Sequence, residues 1–327
     1  MHVTRSLAHT APLINCRFDP SGEYLFATAE DRAIIRWKLA DDSKVVFTGH
    51  DSWVRGLAFS KDGKTLVTSG FDDTLIWWPV AAEAPEPIRK VTAHKGWIRA
   101  VAVSQDGTLL ASAGNDRIVK LWNMADGKPV RELPGHELDV YSLMFHPDGK
   151  HLLSGDLKGH IRQWDLAEGK EVRKLEAGDL HSFNSGQKVN FGGVRSLAHS
   201  ADGQHLIAGG LHKATNPLGA VHEPIILRFN WADGKIVKKH LAAGVRGVIW
   251  RNIIHPEGFV IGCSGGSGGG WLLFWKEGEE KEFHKQKLQD TAREMDLHPD
   301  GIQVAAVHWN KKVSICRLEK KPAAPKK

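Results

Sequence analysis

Histidine, hydroxyl and carboxylate occur together three times in this chain, as His9, Thr28 and Asp31, as His50, Thr68 and Asp72, and as His94, Ser112 and Asp116. Each set is followed by a tryptophan, Trp37, Trp78 or Trp122. An imidazole oriented by a carboxylate and bonded to a hydroxyl is the composition of a hydrolytic triad, in which the ring takes the nucleophile's proton. The repetition argues for a different role. A reaction needs one nucleophile, whereas copies at matched spacing are what a repeated structural unit carries. A fourth set keeps His136, Ser154 and Trp164 and has Lys158 at the expected aspartate position; later segments largely lose the pattern.

A second column is basic. Arg55, Arg99, Arg195, Arg246 and Arg293 each follow an aliphatic or alanine residue at the start of a strand-like run, and Ile14 and Tyr141 complete the column. The guanidinium fork binds carboxylate or phosphate at two points, and several such groups brought together call for an anion or for carboxylates of their own. Two residues earlier stand Trp53 and Trp97, flat surfaces suited to stacking or to anchoring a peptide. Two outcomes are open. The arginines bind an acidic partner, or each pairs with a nearby aspartate such as Asp31, Asp72 or Asp116 and stiffens the fold.

Two further features could do chemistry. His181, His212 and His222, with Glu223, fall in long interruptions and could converge on zinc, but no spacing fixes them on one element. The run GCSGGSGGGW, Gly262 to Trp271, is rich enough in glycine to suggest a phosphate-cradling loop. Such loops end in Gly-Lys-Ser/Thr before a helix, and Trp271 follows here instead, so the run reads as a flexible or tight-fitting turn. No metal and no cofactor is expected.

The elements that position these residues repeat. A turn glycine recurs at Gly22, Gly63, Gly107, Gly149, Gly203, Gly258 and Gly301. Nine residues before it stand Leu13, Val54, Ile98, Val140, Val194 and Ala292, while Val245 precedes its glycine by thirteen. Fifteen residues after it stand Trp37, Trp78, Trp122, Trp164 and Cys316, with Phe229 and Trp275 following longer loops. Between these anchors the residues alternate as in half-buried strands, for example Lys64-Thr-Leu-Val-Thr68, so each unit reads as four short antiparallel strands.

This pattern resembles the WD-repeat family, whose units join a Gly-His dipeptide to a Trp-Asp ending. The dipeptide stands at Gly49-His50 and Gly135-His136, with near matches at Ala8-His9 and Ala93-His94; the ending is complete at Trp164-Asp165. The resemblance covers residues 1–318 and implies an all-β, seven-bladed propeller of four-stranded antiparallel blades. Val3 to Leu7 would supply the outer strand of the last blade and remove a free edge. It also implies that the His, Ser/Thr, Asp and Trp of a unit form a buried hydrogen-bond chain, and that the inner strands line a central channel with the arginine column at its top mouth. Three expanded loops, Ala177 to Gly193, Leu211 to Pro224 and Gly262 to Trp271, share that face.

The net charge of +6 owes much to Lys320, Lys321, Lys326 and Lys327, and the rest of the chain is nearly balanced. Residues 319–327, EKKPAAPKK, are expected to be a disordered tail. Three scattered cysteines, no signal-like start and no long apolar run suggest a cytoplasmic protein away from membranes. The expected function is a non-catalytic interaction platform, monomeric as a domain, that binds a protein or an acidic peptide at the top mouth. A propeller enzyme with its site on the expanded loops of blades five and six is the alternative, and a nucleic-acid-binding module is third.

Overall fold

The computed structural model describes residues 1–214 and 222–319, so the centre of the Leu211–Pro224 segment and most of the 319–327 tail lie outside the described residues. Seven four-stranded antiparallel sheets follow one another along the chain. Blade two is representative, with Val54–Phe59 innermost, then Thr65–Gly70, Thr74–Pro79 and Arg89–Thr92 outermost. The inner strand of each blade packs beside those of its two neighbours, and that of blade seven meets that of blade one. The result is a closed seven-bladed propeller. Its seam is the expected one: His2–Ala8 pairs antiparallel with Lys312–Arg317, Ala8 opposite Lys312 and Val3 opposite Cys316. The free edge of blade seven is thereby covered. No described helix is long and apolar enough to cross a membrane.

All seven turn glycines have positive φ, from 66° at Gly149 to 88° at Gly258, a conformation a side chain would strain. Each turn reverses the chain between inner and second strands, so faces of alternating residues meet the next blade. The core is accordingly divided among blade interfaces. Leu153, Ile161 and Leu175 of blade four pack on Leu206, Ile225, Leu227 and Phe229 of blade five.

The histidine sets are structural pins, complete in three blades. In blade two, His50 lies 2.9 Å from Asp72 through Nδ1 and 2.7 Å from the Thr68 hydroxyl through Nε2, and the Trp78 indole donates to that hydroxyl at 2.9 Å. Blade three repeats this with Asp116, His94, Ser112 and Trp122. Burial pushes the Asp72 and Asp116 carboxyls up, but the histidine hydrogen bond, the attraction of the ring and the backbone N–H donors together outweigh it and hold both below the usual carboxylate range.

Two expectations need correction. Blade four has a full chain, and its carboxylate is Asp156, not a group at position 158: His136 contacts Asp156 at 2.8 Å and Ser154 at 2.6 Å, and Trp164 donates to Ser154 at 2.7 Å. Asp156 pairs with Val140 at the position where Gly70 pairs with Val54. A Cβ on Gly70 would lie 2.4 Å from the Asp72 carboxylate and 2.6 Å from the His50 ring, so the same space takes either a glycine with an aspartate two residues on, or one aspartate in place. Lys158 turns outward to Glu137 at 2.6 Å. Blade one is the reverse case: His9 reaches Asp31 at 2.8 Å, but Thr28 Oγ1 and His9 Nδ1 are buried without partners and the chain stops there.

The divergent blades use histidine differently. His240 is buried in blade five, donates from Nδ1 to the Glu279 carbonyl at 2.7 Å, and leaves Nε2 unpartnered in the core. Burial lowers its pKa to about 4 and also lowers those of His136 and His308. The unfolded chain takes up a proton near pH 6.5 that the native ring refuses until about pH 4, so stability falls as pH drops through that window. His240 alone accounts for up to about 3 kcal/mol. Urea midpoints measured at pH 7.5 and pH 5 should show the lower stability at pH 5, and equal midpoints would contradict a neutral buried ring.

The expanded loops are built on blades five and six. Residues 177–193 form a 3-10 turn, Gly178–Leu180, and a hairpin, His181–Asn184 with Val189–Gly192, that leaves Phe183 exposed. The glycine run is a close-packed turn. A Cβ on Gly265 would lie 1.8 Å from the Ala292 carbonyl of blade seven, and one on Gly270 would lie 2.1 Å from that of Asp290.

Candidate binding site at the channel mouth

Six of the seven inner strands carry one β-bulge near their start, and the bulged residue lines the ring. In blade two the register shifts between Val54 and Gly56, which sets Arg55 apart from the ladder; Ile14, Arg99, Tyr141 and Arg293 stand in the same way. Arg195 donates its backbone N–H to Gly209 just before the ladder of blade five begins. In blade six the shift falls between Ile249 and Arg251, so the ring position belongs to Trp250. Arg246 is exposed, two residues before Val248–Ile254, and does not line the mouth. The mouth is therefore ringed by four arginines and three other residues.

It is a cavity of about 230 Å³ lined by Ile14, Arg55, Arg99, Tyr141, Arg195, Trp250 and Arg293, with Trp53 and Phe71 on its lip. Below it the channel narrows to about 60 Å³ between Arg17, Arg251 and Glu294. Trp97 stacks flat on Phe71, centroids 4.3 Å apart, and Trp53 is tilted against the same ring at 6.2 Å. Trp53 and Trp97 remain 44% and 45% exposed, so the stack offers an aromatic ledge beside the arginines.

The four arginines are not equally compensated. Arg293 meets Glu30 at 2.9 Å and lies 4.1 Å from the Trp309 ring centre. Arg99 donates to Asn115 at 2.6 Å, has Asp139 at 3.6 Å, and lies over Tyr141 at 4.5 Å. Among the described residues, Arg55 and Arg195 have no carboxylate at ion-pair distance; Arg55 donates to the Ile14 carbonyl at 3.2 Å, and Arg195 sits 3.9 Å above Tyr141 with Nε buried and unpartnered. Burial pushes both guanidiniums below their ordinary pKa; Glu294 opposes this for Arg55, and the neighbouring arginines add to it. Asp31, Asp72 and Asp116, the alternative partners from sequence, are engaged by His9, His50 and His94 instead.

Glu30, Phe71, Asn115 and Trp309 were missed in the sequence. All but Phe71 contact an arginine of their own or the adjoining blade, and Phe71 carries Arg99 over its ring at 5.6 Å. They share one signal, since each directly follows the second strand of its blade. The loop histidines do not converge: His181 bonds Asn190 at 2.8 Å, His212 faces Glu223 at 3.3 Å, and His222 belongs to neither pair.

A family model described as "WD domain, G-beta repeat" matches residues 2–38, 42–79, 85–123 and 127–165, the segments that hold the closing strand and the first four blades except the outer strand of the fourth, Lys170–Glu176. The same four-stranded unit continues through blades five to seven. The chain belongs to the WD-repeat family. Transducin beta-like protein 3 of Rattus norvegicus is 44% identical over 61 residues, 18% of this chain and 8% of that protein. Pre-mRNA-splicing factor cwf17 of Schizosaccharomyces pombe is 34% identical over 84 residues, 25% of this chain and 24% of that one. DDB1- and CUL4-associated factor 10 of Homo sapiens is 40% identical over 78 residues, 23% and 14%. The matches thus span less than a quarter of each relative's length. WD-repeat propellers generally act as protein-interaction scaffolds.

Proposed function

We propose that this propeller is a non-catalytic interaction platform whose top channel mouth binds an acidic peptide segment of a partner protein. The observation that carries the reading is the pair Arg55 and Arg195, half-buried beside the Trp53–Phe71–Trp97 ledge and, among the described residues, without a carboxylate at ion-pair distance. Two buried-side cations lacking carboxylates are costly alone, and a bound carboxylate or phosphate would relieve them with charge-assisted hydrogen bonds. The ledge supplies apolar area for an aromatic or aliphatic side chain of the same peptide. The resemblance to DDB1- and CUL4-associated factor 10, a protein named for its association with others, agrees with a partner-holding role without naming a partner.

The test is a fluorescence-anisotropy titration with a labelled peptide carrying several Asp or Glu residues and one Trp. The acidic peptide should bind, and binding should weaken several-fold as salt rises from about 50 to about 300 mM, as expected for partly exposed ion pairs. A matched peptide with Lys in place of the acidic residues should not bind. Equal binding of the two would sink the proposal.

A further inference from the structure

The opposite end of the channel carries a group of side chains that the platform reading does not use. Blades four, six and seven share a His-Pro-Asp/Glu-Gly turn at His146, His255 and His298. Each ring donates Nε2–H to the turn-glycine carbonyl of the following blade, His146 to Gly203 at 3.0 Å, His255 to Gly301 at 2.6 Å and His298 to Gly22 at 3.0 Å. That bond ties adjacent blades, and Nδ1 accepts the backbone N–H two residues on in its own turn, from Asp148 at 3.3 Å, Glu257 at 3.1 Å and Asp300 at 3.1 Å.

Blade four adds something the others lack. His146 Nδ1 lies 3.0 Å from Asp148 Oδ2, as His298 Nδ1 lies 3.1 Å from Asp300 in blade seven, but here His151 brings a second ring nitrogen, its Nδ1, to the same oxygen at 2.6 Å. His146 is buried and stacked on Trp231, centroids 3.8 Å apart, and His151 meets the edge of that indole at 5.9 Å. Either a proton on a ring or a metal ion satisfies such a contact, and the second histidine is what turns it into a set of three ligands. The three ligand atoms lie within 4.8 Å of one another, so one ion could reach all three at ordinary zinc–ligand lengths of about 2.0–2.2 Å after small rotamer changes. Blade seven shows the arrangement without the second histidine. There Gln303 stands at the matching position and donates an amide N–H to Asp300 at 2.8 Å.

We infer that His146 Nδ1, His151 Nδ1 and Asp148 Oδ2 form a site for a divalent transition metal of the zinc class, with the fourth position open to solvent on the Asp148 side. Two imidazoles and one carboxylate suit zinc, and the Nε2–H bond of His146 to the Gly203 carbonyl is the kind of outer contact that orients a ligating ring. His146 also lines the wide lower mouth of the channel with His199 and Pro147, so the ion would stand at its rim.

The experiment uses the full chain, stripped with chelator and titrated with Zn²⁺ by calorimetry and with Co²⁺ by visible absorption. The wild type should take up one equivalent and give the d–d bands of low-coordinate Co²⁺. His151→Gln keeps the turn hydrogen bond that Gln303 makes in blade seven, so it should fold with an unchanged circular dichroism spectrum. It should bind Zn²⁺ at least about 10-fold more weakly and lose the Co²⁺ bands. Asp148→Asn should behave similarly. No metal uptake by the wild type, or unchanged uptake by both variants, which would put the ion on others of the 18 histidines, overturns the assignment.

Discussion

Asp156→Ala should destabilise the propeller by about 3–5 kcal/mol, enough to consume much of the stability of an ordinary domain. The side chains of Asp156 and His136 are both fully buried and in contact at 2.8 Å, and Asp156 Oδ1 also accepts the backbone N–H groups of Lys158 and His160 at 2.9 Å each. Removing the carboxylate strands the ring and two amides at once. The cost is that of an uncompensated buried group, not of one hydrogen bond. Asp31→Ala is the contrast. Its carboxylate is 38% exposed and its chain ends at His9, so the loss should stay below about 1 kcal/mol. Urea unfolding of the two variants checks the pair, and similar losses would mean that the buried chain is not what pins blade four.

Arg55→Glu with Arg195→Glu should abolish capture of the acidic peptide while leaving the fold intact. Each reversal removes a donor and places a like charge where the ligand's carboxylate would sit. At about 2–5 kcal/mol for a desolvated charge contact, even one lost contact weakens binding roughly 30-fold or more. The fold should tolerate the change because the new carboxylates face Arg17, Arg99 and Arg251, a cationic cluster in which Arg17 and Arg251 share Glu294 and Arg99 has Asp139. Arg55→Met with Arg195→Met, which removes charge without adding any, should give a weaker form of the same defect.

How much of this was legible in the sequence depended on where the repeat kept its spacing. Seven turn glycines and the recurrent tryptophans were enough for the unit count, because steric demands at those positions repeat from blade to blade, and the resemblance to the WD-repeat family added the propeller and its ring closure. Blade six was misread for a physical reason. A column headed by Val245, thirteen residues before Gly258, passes over Ile249, which lies nine residues before that glycine as in every other blade. The bulge lies after Ile249, so Trp250 takes the ring position and Arg246 stays outside. In blade four, counting from Asp72 and Asp116 led to Lys158, whereas the carboxylate had moved onto the strand, into the space that glycine leaves empty in blade two. Which arginines find carboxylates could not be read from columns alone, since Arg293 meets Glu30 across the seam between first and last blades.

The central claim, that the mouth built by Arg55 and Arg195 is the binding site, is tested most directly by titrating one labelled acidic peptide against three proteins: wild type, the Arg55→Glu/Arg195→Glu double variant and Arg246→Glu. All three should share one circular dichroism spectrum. Wild type and Arg246→Glu should bind within about twofold of each other, since a surface charge outside the mouth contributes little, and the double variant should not bind. A folded double variant that binds as well as wild type, or an Arg246→Glu defect as deep as that of the double variant, would contradict the account.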